Sequence, residues 1–533
     1  MNPIRIALPE RPSSRIERNV AIGRRMLSER FGVSLEETNT ATADVKLVVD
    51  PALEFDRFTI ASGDTTTITV GDERQCAAAF GNWLRGLRQS GTTLRYAAGD
   101  VDVTPECSIR GAYLANHFYN FYEAAPIDDV IQYIEELALL GYNTLGLIIP
   151  MFQVASFEDE AGRRAFERTN RLFREARAIG LSACLLHNPN GAFYTAPKEI
   201  QAVPPRDDFG RRGWHGLQVC PSKPAGHEYL IEKCTQLLDL FRETGLDSFM
   251  FWPYDEGGCG CDECAPWGAR GYLKLAREVS EIARAKYPGI KIILSTWMYD
   301  TPYDGEWEAL SAEMKRDPWI DAILADAHED FPSYPLEHGS PAGISLINFP
   351  EISMWGQGPW GGFGANPLPG RFERLWGQAR HILDGGILYS EGIFEDVNKA
   401  LYAGWYRDRD RNTDAILREY LAWETGVHDE SALDAIVEAI RIMERNHKRD
   451  EIGESAEEAY RLLHDVEALM SPNATRRWRW RLLMLRATID QELYRHGGKR
   501  KGEVLRAAFA ELHAMYHADN ATGAVRPPTV DEE

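Results

Sequence analysis

No apolar run in this 533-residue chain approaches the roughly 18 to 20 residues needed to span a membrane. Near the amino end only Ile4 to Leu8 is apolar; Arg5 interrupts it and Pro-Glu-Arg-Pro closes it, so it lacks the core of a secretory signal. The expectation is a soluble cytoplasmic protein with no membrane partner. Basic residues are in the minority: 59 Lys and Arg against 81 Asp and Glu leave a net charge of -22. That balance argues against a nucleic-acid polyanion as partner, and the spread of charge along the chain serves solubility. Cysteine is scarce, with eight residues unevenly placed, which is no disulfide framework and agrees with a reducing compartment. A glycine-rich phosphate loop is also missing after the first strand of the long α/β stretch, which weakens the case for a doubly wound open sheet.

What is present is a globular composition, 44% hydrophobic and 11% aromatic, in a chain long enough for a barrel of 200 to 300 residues with flanking pieces. The first hundred residues read as a small α/β unit. Strands are expected at Ile4 to Leu8, at Val45 to Val49 and as a pair around Phe58 to Val70, with helices at Ile16 to Phe31 and Glu73 to Leu87. This unit carries no cluster of chemistry, so its expected role is structural or docking. From Arg110 the pattern alternates strand and helix for almost three hundred residues. Eight strands are predicted: Gly111 to Ala115, Thr144 to Ile149, Ser182 to His187, Ser248 to Trp252, Lys291 to Thr296, Ala322 to Ala325, Ile344 to Asn348 and Gly386 to Tyr389. After about Tyr406 the strands stop, and Thr413 to Thr425, Glu430 to Asn446, Ser455 to Met470, Ala474 to His496 and Gly502 to His517 read as amphipathic helices. In this region Trp478-Arg-Trp480-Arg reads as a packed helix with snorkelling arginines, and Thr522 to Glu533 as a frayed acidic tail. The predicted class is α/β: a (β/α)8 TIM barrel over 106–408, an N-terminal α/β domain over 1–105 and a C-terminal all-helical domain over 409–533.

A barrel of this kind builds its site at the carboxyl ends of its strands. Those positions here hold His117, His187, Asn188, Asp255, Glu256, Trp297, Tyr299, Asp300, Asp326, His328, Glu329, Glu351, Trp355 and Glu391. Carboxylates and aromatics suit sugars, which offer hydroxyls to the one and apolar ring faces to the other. Cleaving a glycosidic bond needs an acid near the leaving oxygen plus a nucleophile or base. An acid working near neutral pH needs its pKa raised by burial or by a neighbouring anion, and Asp255 beside Glu256 offers the second.

Three motifs carry a family resemblance: Arg110-Gly-Ala-Tyr-Leu at the first strand, Asp255-Glu256 after the fourth and Gly385-Gly-Ile-Leu-Tyr-Ser-Glu391 at the eighth. In order and spacing they resemble the β-N-acetylhexosaminidases of glycoside hydrolase family 20. Gly71-Asp-Glu-Arg and the Phe80 to Leu87 segment resemble the end of the α/β domain that precedes the barrel there and in the family 67 α-glucuronidases. The resemblance implies that Arg110 holds hydroxyls of the terminal sugar, Asp255 orients a 2-acetamido group, Glu256 is the general acid/base and Glu391 grips the far hydroxyls. The chain departs from the family pattern at Ala115, at Leu147-Ile-Ile-Pro150 and at Phe251-Trp-Pro-Tyr254. A two-carboxylate mechanism therefore stays open, with Glu256 as acid and Glu351 as nucleophile or base, and His187, Trp297, Tyr299, Asp326 and Trp355 join the substrate-binding set.

Cys259-x-Cys261-x-x-Cys264, with Cys220 on the preceding loop, supplies four thiolates for a structural zinc site, while catalysis itself calls for no cofactor. The resulting expectation is an exo-acting, hexosaminidase-like glycoside hydrolase that takes small oligosaccharides or glycosides, with a homo-oligomer forming through the C-terminal helices. The alternatives are an α-glucuronidase-like enzyme for an acidic sugar and a non-catalytic carbohydrate-binding protein on the same barrel.

Overall fold

The computed structural model describes residues 2–118, 120–204, 217–254, 257–299, 303–352, 363–520 and 528–531. At its centre eight parallel strands close into a barrel in sequence order: Ile109–Leu114, Thr144–Ile148, Ser182–His187, Ser248–Phe251, Lys291–Ser295, Ala322–Ala327, Ser345–Pro350 and Gly385–Ser390. Nearly every strand residue is buried, because helices cover the outside and side chains fill the inside, so the strands read as continuous apolar runs. Closure pairs the eighth strand with the first along six residues, from Gly385 opposite Ile109 to Ser390 opposite Leu114. That seam demands glycine. A Cβ on Gly385 would stand 1.9 Å from the Ile109 carbonyl oxygen, and one on Gly386 1.9 Å from Asn348 Oδ1.

Helices follow the strands around the outside, among them Ile127–Leu140, Glu160–Ile179, Pro224–Leu240, Gly271–Lys286, Glu306–Arg316, Pro369–Ala379 and Asp396–Arg407. Several end on glycines in the left-handed region, such as Gly141 and Gly180. These accept positive φ without a Cβ clash and return the chain to the next strand.

The amino-terminal unit is a six-stranded mixed sheet carrying helices Ser14–Phe31 and Cys76–Arg85. Both helices also touch the barrel's helices, Ser14–Phe31 against Glu160–Ile179 and Cys76–Arg85 against Ile127–Leu140. The expected helix from Glu73 to Leu87 is shorter than its apolar spacing suggested: it ends at Gly86, and Leu87 opens a hairpin, Leu87–Ser90 with Thr93–Tyr96. The strands Leu35–Glu37 and Val101–Val103 and the helix Asp396–Arg407 also lie beyond the sequence reading.

The carboxyl-terminal region is helical, with Thr413–Thr425, Glu430–Arg445, Ser455–Glu467, Trp478–Arg495 and Glu503–Met515. Trp480 is fully buried and donates to Glu467 Oε1 at 2.8 Å. Arg479 does not snorkel: it is buried and paired with Asp396, at 2.5 Å, and with Glu136. In the terminal segment read as frayed, Asp531 docks on Arg500, accepting from its backbone N–H at 2.9 Å and its guanidinium at 2.8 Å. Among the described residues no helix is long and apolar enough to cross a membrane.

Candidate active site

The carboxyl mouth of the barrel is walled with aromatic rings. Trp252, just past the fourth strand, stacks on Trp297, just past the fifth, with centroids 5.2 Å apart and planes at 27°. Trp252 also meets Phe349 of the seventh strand at 4.9 Å. Phe349 continues to Tyr389 of the eighth at 5.7 Å, and Tyr389 to Tyr113 of the first at 5.9 Å. Tyr113 OH lies 3.1 Å from His117 Nδ1. On the third strand His187 stacks on Phe249 with centroids 5.6 Å apart, and burial lowers its pKa to about 3, so its imidazole is neutral.

Into this aromatic frame the strand ends deliver carboxylates. Glu351 follows the seventh strand and is buried, with Oε2 in direct contact with His328 Nδ1. His328 is held from two sides: its N–H donates to Asp326 Oδ1 at 2.9 Å, and its carbonyl accepts from the Arg371 guanidinium. Glu391 follows the eighth strand, is wholly buried and accepts from Tyr389 OH at 2.5 Å. Aromatic faces with buried, hydrogen-bonded acids can bind a sugar ring by stacking and by hydroxyl contacts.

Asp255, Glu256, Trp355 and Asp300 lie outside the described residues. The chain on either side of the Asp255–Glu256 pair is firmly held. On one side Trp252 N donates to the His187 carbonyl at 3.1 Å and Pro253 O accepts from Trp267 Nε1 at 2.7 Å. Tyr254 OH donates to the buried Glu306, which also takes the Gly268 N–H at 2.7 Å. On the other side Asn190 accepts from Gly258 N at 2.9 Å and donates to Gly258 O at 2.7 Å and Val219 O at 3.2 Å. Gly258 has φ +118°, a backbone conformation that residues with a Cβ rarely adopt.

Two sequence expectations need correction. Arg110 sits at the amino end of the first strand, away from the mouth. Its guanidinium forks onto Asp56 at 2.6 and 2.9 Å and donates to the Gly141 and Cys107 carbonyls. It joins the amino-terminal unit to the barrel and is not a sugar ligand. Tyr299 is packed against Tyr272 and Trp307, and its hydroxyl donates to Gly268 O at 3.0 Å, so it supports the fourth-strand loop from beneath. Trp297, Asp326, Glu351, Glu391 and His187 do stand at strand ends. Sequence reasoning overlooked Asn190, hidden in the turn-like Asn188-Pro-Asn-Gly191. It also overlooked Tyr113, Phe349 and Tyr389, whose shared place, next to last in their strands, was the available signal.

The four predicted metal ligands do come together. The sulfurs of Cys220, Cys259, Cys261 and Cys264 lie within 4.8 Å of one another, with Cys220 and Cys261 3.7 Å apart. The neighbouring thiols of Cys259 and Cys264 act on one another, lowering the pKa of Cys259 and raising that of Cys264.

No family model and no curated relative matches the chain. Solved structures share its fold at low identity. A family GH115 4-O-methyl-α-glucuronidase with specificity for decorated arabinogalactans superposes with a TM-score of 0.61 at 12% identity, over 100% of this chain and 81% of that one. The family 89 glycoside hydrolase from Clostridium perfringens gives 0.60 at 13%, over 94% and 65%. The GH20 β-N-acetylhexosaminidase from Streptomyces coelicolor A3(2) gives 0.52 at 16%, over 79% and 90%.

Proposed function

We propose that this protein is an exo-acting glycoside hydrolase that removes a terminal sugar from small oligosaccharides or glycosides, with Glu256 as general acid. The observation that carries the reading is the barrel mouth, where the Trp252–Trp297 stack, Phe349 and Tyr389 surround the buried acids Glu351 and Glu391. The fold it shares with enzymes of families 20, 89 and 115 supports the reaction class. The acid role rests on the position of Glu256 after the fourth strand, in a loop held tightly on both flanks. In this reading Glu256 protonates the leaving oxygen, the oxocarbenium-like sugar develops against the aromatic wall, and Glu351 at the seventh strand supplies the opposing negative charge. His328 keeps the Glu351 carboxylate in place from the side.

A panel of nitrophenyl glycosides that includes 2-acetamido and uronic examples tests the activity and finds the sugar. On the best substrate Glu256→Gln should lower turnover by at least about a hundredfold while circular dichroism stays unchanged, since losing a positioned acid typically costs 10²- to 10⁴-fold. A folded Glu256→Gln protein with full activity toward a poor leaving group would take the acid role from this residue. Saccharide affinity without turnover, indifferent to that substitution, would instead mark a binding protein.

A further inference from the structure

We propose that Cys220, Cys259, Cys261 and Cys264 hold one zinc ion as a closed tetrathiolate, and that this ion staples the loop bearing Glu256 to the segment that follows the third barrel strand. The ligands come from two separate stretches of chain. Cys220 lies just before the helix Pro224–Leu240, and the other three lie in the loop between the fourth strand and the helix Gly271–Lys286. Zinc–sulfur bonds of about 2.3 Å in a tetrahedron put the sulfurs about 3.8 Å apart. The Cys220–Cys261 separation is 3.7 Å, and the whole set fits within 4.8 Å. Small adjustments therefore complete the sphere.

The surroundings suit sulfur ligands. Ser222 Oγ lies 2.9 Å from Cys220 Sγ and 3.4 Å from Cys261 Sγ, within hydrogen-bonding reach of both. Arg270 ties the loop down by donating to the carbonyls of Asp262 and Ala265 at 3.0 and 2.9 Å. Four soft sulfur ligands select zinc over magnesium or calcium, and a full set of four leaves no open position, so the ion is structural. Its place gives it a consequence for the site. Cys259 directly follows Gly258, which Asn190 grips, and stands three residues beyond Glu256. Metal and Asn190 together define one end of the acid-bearing loop.

The metal inference stands without the glycosidase reading, and its test reads metal and structure before activity. Elemental analysis of the full-length protein, purified without added metal, should return about one zinc per chain. Replacing that zinc with cobalt should produce the absorption bands of tetrahedral tetrathiolate cobalt. Cys261→Ser, which alters the least buried ligand, should bind less than a tenth of an equivalent, melt several degrees lower and be cut by protease within the 257–270 loop. Cys234→Ser, at a buried cysteine remote from the cluster, should keep its zinc. Two results would overturn the proposal: wild-type protein with less than a tenth of an equivalent and four thiols that alkylate freely or form disulfides, or a metal-free Cys261→Ser protein with unchanged melting and protease resistance.

Discussion

Glu351 and Arg110 are both buried ionisable side chains, and they stand at opposite ends of the barrel. Arg110 is fully matched by Asp56 and two carbonyls, an arrangement that joins two units of structure. Glu351 contacts the His328 imidazole at the end where barrel enzymes do their chemistry. If it is the nucleophile, Glu351→Ala should be nearly inactive on every glycoside and should recover turnover with azide, which can enter the vacated space and attack the sugar carbon. Lowered affinity with no azide response would assign Glu351 to binding and leave the nucleophile to the substrate's own acetamido oxygen. The residues that carried the family resemblance were legible as a pattern, but the place of Arg110 was not. Across the closing seam of the barrel Gly385 pairs with Ile109, Gly386 with Arg110 and Gly111 with Ile387, and interstrand space there dictates glycine. Such a constraint looks the same in a one-dimensional string whether it serves packing or catalysis.

At the scale of elements, the loop after the fourth strand depends on a turn it does not belong to. Asn190 is a buried amide making three bonds to Gly258 and Val219, and it fixes the loop more firmly than local sequence could. Asn190→Ala should lower kcat by about 10- to 100-fold with a smaller change in KM, because a shift of about 1 Å at a catalytic group costs on that order. Asn190→Asp, which retains an acceptor for Gly258 N, should recover part of the loss; equal kcat in all three proteins would remove Asn190 from any positioning role. The eight strands were readable because burial on both faces gives continuous apolar runs, and most boundaries fall within two residues of expectation. The hairpin Leu87–Tyr96 was not readable. Its Leu87 continues the helical stripe of Phe80 and Leu84, and only the turn at Gly86 interrupts it. The clamp by Asn190 was hidden for a similar reason, since its partners are backbone groups 29 and 68 residues away.

For the molecule as a whole, the amino-terminal unit meets the carboxyl-terminal helices. Arg30, at the end of the first helix, donates to both oxygens of Glu424 at 3.0 and 3.1 Å and to the Trp423 carbonyl at 2.9 Å, with its guanidinium 4.0 Å above the Trp423 ring. Both partners are buried, with side chains 7% exposed. Arg30→Ala should destabilise the protein by about 3 to 5 kcal/mol, because it strands the Glu424 carboxylate without its partner. Denaturant titration with far-ultraviolet detection reads that loss, and a change below about 1 kcal/mol would mean that the contact is ornamental. The same pairing sets an order on synthesis. Arg30 and Glu424 are 394 residues apart, so at about 5 to 20 residues per second a ribosome makes the first roughly 20 to 80 seconds before the second. Throughout that interval the end of the helix Ser14–Phe31 exposes the surface that Trp423 and Glu424 will cover, and a chaperone that holds nascent chains would find its footing there.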